Sequence, residues 1–212
     1  KRVSVPMKIV LATHNKHKKQ EIRHILKGLD VQLLTLDDFP VFSDIKEDGK
    51  TLEQNAIKKA KITAKKTRCF ALADDTGLEV DALKGAPGVF SARYAGWGCS
   101  YQDNNKKLLH ALSGKKTSQR GATFRCIIAI ASPSWKVNTI EGNIRGYIGR
   151  RMLGKNGFGY DPIFYVPKYK KTLAQLPPSF KNKISHRAKA LKQAKRFIEK
   201  MTASRLSGNT AR

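Results

Sequence analysis

Hydrophobic positions along this chain fall into short apolar runs that alternate with helical stripes. Lys8 to Ala12 (KIVLA) is apolar and β-branched and predicts a buried strand. Thr13, His14 and Asn15 break it, and Ile22, Ile25, Leu26 and Leu29 then recur at helical spacing. Thr51-Leu52-Glu53-Gln54 has the form of a capping box and opens a helix running to about Lys66. Cys69 to Ala73 predicts another buried strand, ending at Asp74-Asp75-Thr76-Gly77. Beyond a Gly/Pro-rich segment at Gly85-Ala86-Pro87-Gly88, a helix is expected over Asn104 to Leu112. Ala122 to Ala131 and Val137 to Ile148 read as two strands turning at Pro133-Ser134, and Gly154 to Asp161 (GKNGFGYD) as a loop. After Pro177-Pro178 a final helix starts near Ser185, with Ala190, Leu191, Ala194, Phe197, Ile198 and Met201 on one face. Strands and helices mix throughout, so the expected class is α/β.

The chain has 212 residues, 40% of them hydrophobic, which is enough to bury a core without staples. Residues 1–6 read as an extension, residues 7–201 as a single domain and residues 202–212 as a frayed tail. The longest apolar run, Cys126 to Ala131, is far short of the roughly 20 residues that span a bilayer. No leader pattern is seen and no membrane association is expected. Cys69, Cys99 and Cys126 are odd in number and have no metal-binding spacing, which points to free thiols and a cytoplasmic address.

Charge changes the picture most. Lys and Arg number 42 against 16 Asp and Glu, a net of +26. Such a field favours polyanions, although a generally basic source proteome would give the same total. The distribution is more informative. Ten of the acids lie between Asp37 and Asp81, whereas Lys168 to Lys200 holds eleven Lys and Arg and one acid, Glu199. An acidic island in a basic chain suggests a divalent-cation site facing a phosphate-binding surface.

Four stretches carry candidate chemistry, and each also has a plainer reading. Thr13-His14-Asn15-Lys16-His17-Lys18 sits at a strand-to-helix junction, where free N–H groups and the helix dipole attract anions. A capped helix start with solvated lysines would look the same. Asp74-Asp75-Thr76-Gly77, with Glu47 upstream, offers oxygens for Mg²⁺ and for orienting a water, or is an Asp-rich turn. Gly157-Phe158-Gly159-Tyr160-Asp161-Pro162 allows close approach and base stacking, or is a tight turn around a core Phe. In Lys181-Asn182-Lys183-Ile184-Ser185-His186-Arg187, Ser185 caps the last helix. That puts His186 and Arg187 in its first turn, where cations suit a bound anion better than they suit the dipole. Solvated surface residues are the alternative.

Taken together and in order, the segments ATHNKHK, EDGKTLEQNAIKKA, ALADDTGLEVDALKGAPGVFSARYAG, GKNGFGYDPIF and KNKISHRAKAL resemble the inosine-triphosphatase family of non-canonical purine nucleotide pyrophosphatases. The resemblance runs from about Met7 to Met201. It implies an elongated two-lobed α/β fold around a mixed twisted sheet, with a nucleotide cleft between lobes and a homodimer. The implied reaction is Mg²⁺-dependent hydrolysis of ITP, dITP or XTP between the α and β phosphates, which cleanses the nucleotide pool. It further implies that Thr13, His14, Asn15, Lys16, His17 and Lys18 hold the triphosphate, with Thr76 beside it. Asp75 would be metal ligand and general base, and Glu47 a second metal ligand. Phe158 would stack on the purine, with Gly159, Tyr160 and Asp161 completing the wall. Lys181, His186 and Arg187 would lie against base and phosphates, the last two reading the 6-oxo edge.

Three positions depart from the family pattern. The acidic segment before Gly49 reads Lys46-Glu47-Asp48, so the metal-ligand assignment could fall a residue from Glu47; Thr76 stands where Ser is common, and Phe180 precedes Lys181 where an acid is frequent. Two rival readings follow from the residues. The charge suits a nucleic-acid-binding protein, or at least weak, salt-sensitive polyanion binding. A related pyrophosphatase with pyrimidine or modified-nucleotide preference is the nearer rival.

Overall fold

The computed structural model describes residues 6–40, 42 and 45–208. The expected extension therefore lies outside the described residues except for Pro6, as do residues 209–212 of the expected tail. In chain order the elements are β1 (Met7–Leu11), α1 (Lys16–Leu26), β2 (Val31–Thr35), α2 (Leu52–Thr67), β3 (Phe70–Val80), β4 (Pro87–Gly88) and α3 (Tyr101–Ala111). They continue as β5 (Gly121–Ala131), β6 (Val137–Ile148), β7 (Phe164–Val166), β8 (Lys171–Thr172), α4 (Pro178–Ile184) and α5 (His186–Gly208).

The described strands form one mixed sheet in the order β2-β1-β3-β5-β6-β7-β8, with β4 paired to β3. β1 lies parallel to β2 and β3, with Ile9 opposite Leu33 and Phe70. β7 is antiparallel to β6 and β8. The α/β class read from the sequence is borne out.

Contacts divide the chain into two compact units. One comprises residues up to Asp75, Ile127–Glu141 and the chain from Ala190 on; the other comprises Thr76–Cys126 and Gly142–Lys189. In the first unit β1 is buried almost throughout, as its apolar run requires, and α1 turns Ile22 and Leu26 inward. Thr51 caps α2 by accepting from the Gln54 N–H at 3.1 Å, and α5 buries Ala190, Leu191, Ala194 and Ile198 as the stripe predicts. In the second unit Leu78, Val80, Leu108, Phe124, Ile148 and Phe164 belong to one apolar cluster.

Three expectations change. β3 does not end at the two aspartates but runs through them to Val80, with Asp74 and Asp75 both buried inside the strand. Cations from elsewhere in the first unit compensate these carboxylates, so the ladder need not break where the sequence turns polar. The final helix near Ser185 is preceded by a separate short helix, α4, which takes in the KNKI segment and has Pro178 at its start, where a missing N–H costs nothing. α5 continues past Met201 to Gly208, and Ser204 lies within it.

Candidate active site

In the first unit the β1–α1 junction builds the expected anion loop. The Asn15 side chain caps α1 by accepting from the Lys18 N–H at 3.2 Å, and the Asn15 N–H donates to Thr13 Oγ1 at 3.2 Å. These bonds fix the turn and leave the first-turn N–H groups directed out of the helix end. Lys18 bends back to pair with buried Asp74, Nζ to Oδ1 at 2.9 Å. His14 lies 3.9 Å from Asp37, which also takes Lys19 at 2.5 Å. Lys16 and His17 are exposed on the opening turn of α1.

The centre of this half is a residue that the motif reading passed over. Lys59, on α2 and buried, donates from Nζ to Glu47 Oε1 at 2.6 Å, Asp74 O at 2.8 Å and Asp75 Oδ1 at 3.0 Å. One ammonium thus draws together the two carboxylates expected to bind metal. Burial works against the Lys59 charge, but Asp75 and Glu47 outweigh it and raise its pKa above the usual lysine value. Burial pushes the Asp75 carboxyl above the ordinary Asp value, opposed by Lys59, reinforced by Glu47 and offset in part by Lys18. A sequence signal for Lys59 existed. Asn55, Ala56, Lys59, Ala60, Thr63 and Ala64 are all buried at helical spacing, so a lysine stands on the inward stripe of α2.

Among the described residues no group of three His, Cys, Asp or Glu could hold a metal ion. Glu47 and Asp75 nonetheless suit Mg²⁺. They are hard oxygen donors converging on one cation, and Mg²⁺ usually needs only one or two carboxylates beside water and substrate phosphate.

The second unit holds the remaining candidates. Asp161 anchors the glycine-rich loop rather than pointing away from it: its Oδ2 accepts from the Phe158 N–H at 2.8 Å and from Lys181 Nζ at 2.6 Å. Asp161, Lys181, His186 and Arg187 are each at most 3% exposed. Gly157 has φ +75° and a Cβ there would run into Asp161 Oδ2, so the loop requires glycine. Over the partly exposed Phe158 ring stand Lys181 Nζ at 4.7 Å and the Arg187 guanidinium at 5.4 Å. Arg187 also donates to Thr76 Oγ1 at 3.1 Å, tying the residue after Asp75 to the same group. His186 stacks on Phe124 at 4.5 Å, and the Tyr160 hydroxyl donates to Ser91 O at 2.9 Å. Tyr160 is thus a buried strut behind the loop. Asn105 Nδ2 holds the Gly159 carbonyl at 2.9 Å, a second contact that the motifs did not reveal.

The first unit thus holds a carboxylate–lysine centre beside a helix-start anion loop, chemistry suited to phosphates, and the second an aromatic ring under buried cations, chemistry suited to a base. The Ham1 family model matches residues 9–197. The chain belongs to the Ham1 family. A Ham1-family relative from Desulforamulus reducens, named dITP/XTP pyrophosphatase, is 52% identical over 195 residues, which cover 92% of this chain and 97% of that protein. The HAM1 protein structure from Coxiella burnetii is similar with a TM-score of 0.85 and 43% identity, covering 92% of this chain and 99% of that one. The Staphylococcus aureus Ham1 structure gives 0.83 and 40%, with the same coverages. The resemblance read from the motifs is borne out.

Proposed function

We propose that this Ham1-family protein is a nucleoside-triphosphate pyrophosphatase that hydrolyses ITP, dITP and XTP to the monophosphate and pyrophosphate. The observation that carries the reading is the Lys59-centred arrangement of Glu47 and Asp75, together with relatives named for this activity. Thr13 to Lys18 hold the triphosphate through the open end of α1 and the Lys18 ammonium. Glu47 and Asp75 hold Mg²⁺, which supplies neutralisation of phosphate charge. Asp75 takes a proton from the attacking water. Lys59 keeps that carboxylate oriented, and Thr76 contacts phosphate.

Phe158 stacks on the purine, held by the wall that Gly159, Tyr160 and Asp161 form. Lys181, His186 and Arg187 supply donors to the base and phosphates, with a 6-keto oxygen as acceptor. Adenine carries an amino group there, and each buried donor left unpaired costs about 1–3 kcal/mol. The same donors do not exclude guanine. The work is cytoplasmic house-cleaning by residues 7–201 acting as one catalytic domain. No helix among the described residues is long and apolar enough to cross a membrane. The protein acts as a homodimer; the exposed Phe90 and Trp97, with Arg93 packed on both rings, supply an aromatic face for a second copy.

The test is a panel of ITP, dITP, XTP, GTP, ATP and dUTP with Mg²⁺, read as pyrophosphate released. Preference for ITP, dITP and XTP is expected. A preference for dUTP would favour the pyrimidine reading, and equal turnover of ATP would remove the 6-keto donors from the account.

A further inference from the structure

A second surface of the first unit has chemistry that nucleotide hydrolysis does not use. Trp135 lies at the turn between β5 and β6, 50% exposed, with φ +67°. A bulky residue in the left-handed region, with half an indole in water, is strained there and leaves much of its ring open to solvent. Its ring faces α2: Lys61 Nζ stands 5.7 Å and Lys65 Nζ 5.3 Å from its centroid. These lysines are one helical turn apart and so approach from the same side. Lys66, the next residue and so turned about 100° around the helix, holds its Nζ 5.1 Å from the Phe42 ring. Lys136 and Arg68 are exposed beside these residues in the sequence. The acid at the other end of α2, Glu53, accepts from Thr139 Oγ1 at 2.9 Å, which lays the start of β6 along the same helix.

The result is a basic stripe, Lys61 and Lys65 against Trp135, with the Lys66–Phe42 pair to one side of it. Such a stripe fits a single strand of nucleic acid: lysines track phosphates, and an exposed ring stacks on a base whatever its identity. A duplex hides its base faces and would use the charge alone. We propose that this face, built on Trp135, Lys61, Lys65 and Lys66, binds single-stranded nucleic acid without sequence preference. The net charge of +26 supplies the long-range attraction. The proposal is independent of the hydrolytic reading, since it uses none of those residues.

The test uses the full chain and a fluorescein-labelled oligothymidylate, followed by anisotropy across a salt series. Binding is expected to weaken with salt. Trp135→Ala should reduce affinity about tenfold, as loss of a stacked base does. Lys61→Gln with Lys65→Gln should flatten the logarithmic salt slope by about 1.4, or ~0.7 per lost phosphate contact. Both variants should hydrolyse ITP at the parental rate. Four results would overturn the proposal: no binding; unchanged affinity in Trp135→Ala; equal affinity for a duplex of the same length or for anionic vesicles; or displacement of the oligonucleotide by saturating ITP in an Asp75→Asn background.

Discussion

At the scale of single residues, the proposed mechanism turns on the balance between Lys59 and Asp75. Asp75→Asn keeps the shape but cannot take a proton. Steady-state kinetics should show a loss of about a hundred- to ten-thousand-fold in kcat, while calorimetry shows nucleotide still bound. Full activity in that variant would exclude Asp75 as base. The pair also makes a prediction with a definite sign. Lys59 lowers the Asp75 pKa against the upward push of burial. In Lys59→Met the Asp75 carboxyl, followed by carbon NMR in metal-free protein, should titrate at higher pH than in the parent. A downward shift would mean that the ammonium does not act on it. The roles proposed for Asp75 and Phe158 were legible only through the ordered motifs, because a DDTG or GFGYD segment alone is also a turn. Lys59 was legible in principle, as a lysine on the inward stripe of α2, but its partners come from β3 and the loop before α2. No local pattern shows those.

At the scale of elements, the long strands and helices followed from periodicity and caps, whereas polar positions compensated from a distance did not. β3 is the clearest case: Asp74 and Asp75 look like a strand end, yet Lys18 from α1 and Lys59 from α2 let the strand continue. β2 was missed because Gln32 interrupts its apolar run without alternation, and β7 and β8, three and two residues long, are defined mainly by their neighbours in the sheet. The Gly154–Asp161 loop shows the reverse. Its glycines announced a loop, and the structure adds the reason: Asp161 must reach back to the Phe158 N–H. Gly157→Ala puts a side chain in the left-handed region at a cost of about 1–2 kcal/mol and crowds Asp161. Kinetics on ITP should show KM raised roughly tenfold with kcat less affected. An unchanged KM would mean that the loop does not shape the base pocket.

At the scale of the whole molecule, charge segregation was visible in the sequence and its physical meaning was not. Most acids of the island are held by specific cations, Asp37 by Lys19 and Asp48 by Lys58 at the surface, Asp74 by Lys18 and Asp75 with Glu47 by Lys59 in the site. The exposed aromatic face at Phe90 and Trp97 predicts assembly. Light scattering should report a dimer for the parent chain and more monomer for Trp97→Ser; a parent monomer would remove the homodimer from the account. Phosphorus NMR of ITP hydrolysis with Mg²⁺ reports which phosphoanhydride bond is broken. Equimolar IMP and pyrophosphate, absent with Asp75→Asn, is the predicted result; IDP with orthophosphate, or no turnover, would contradict it.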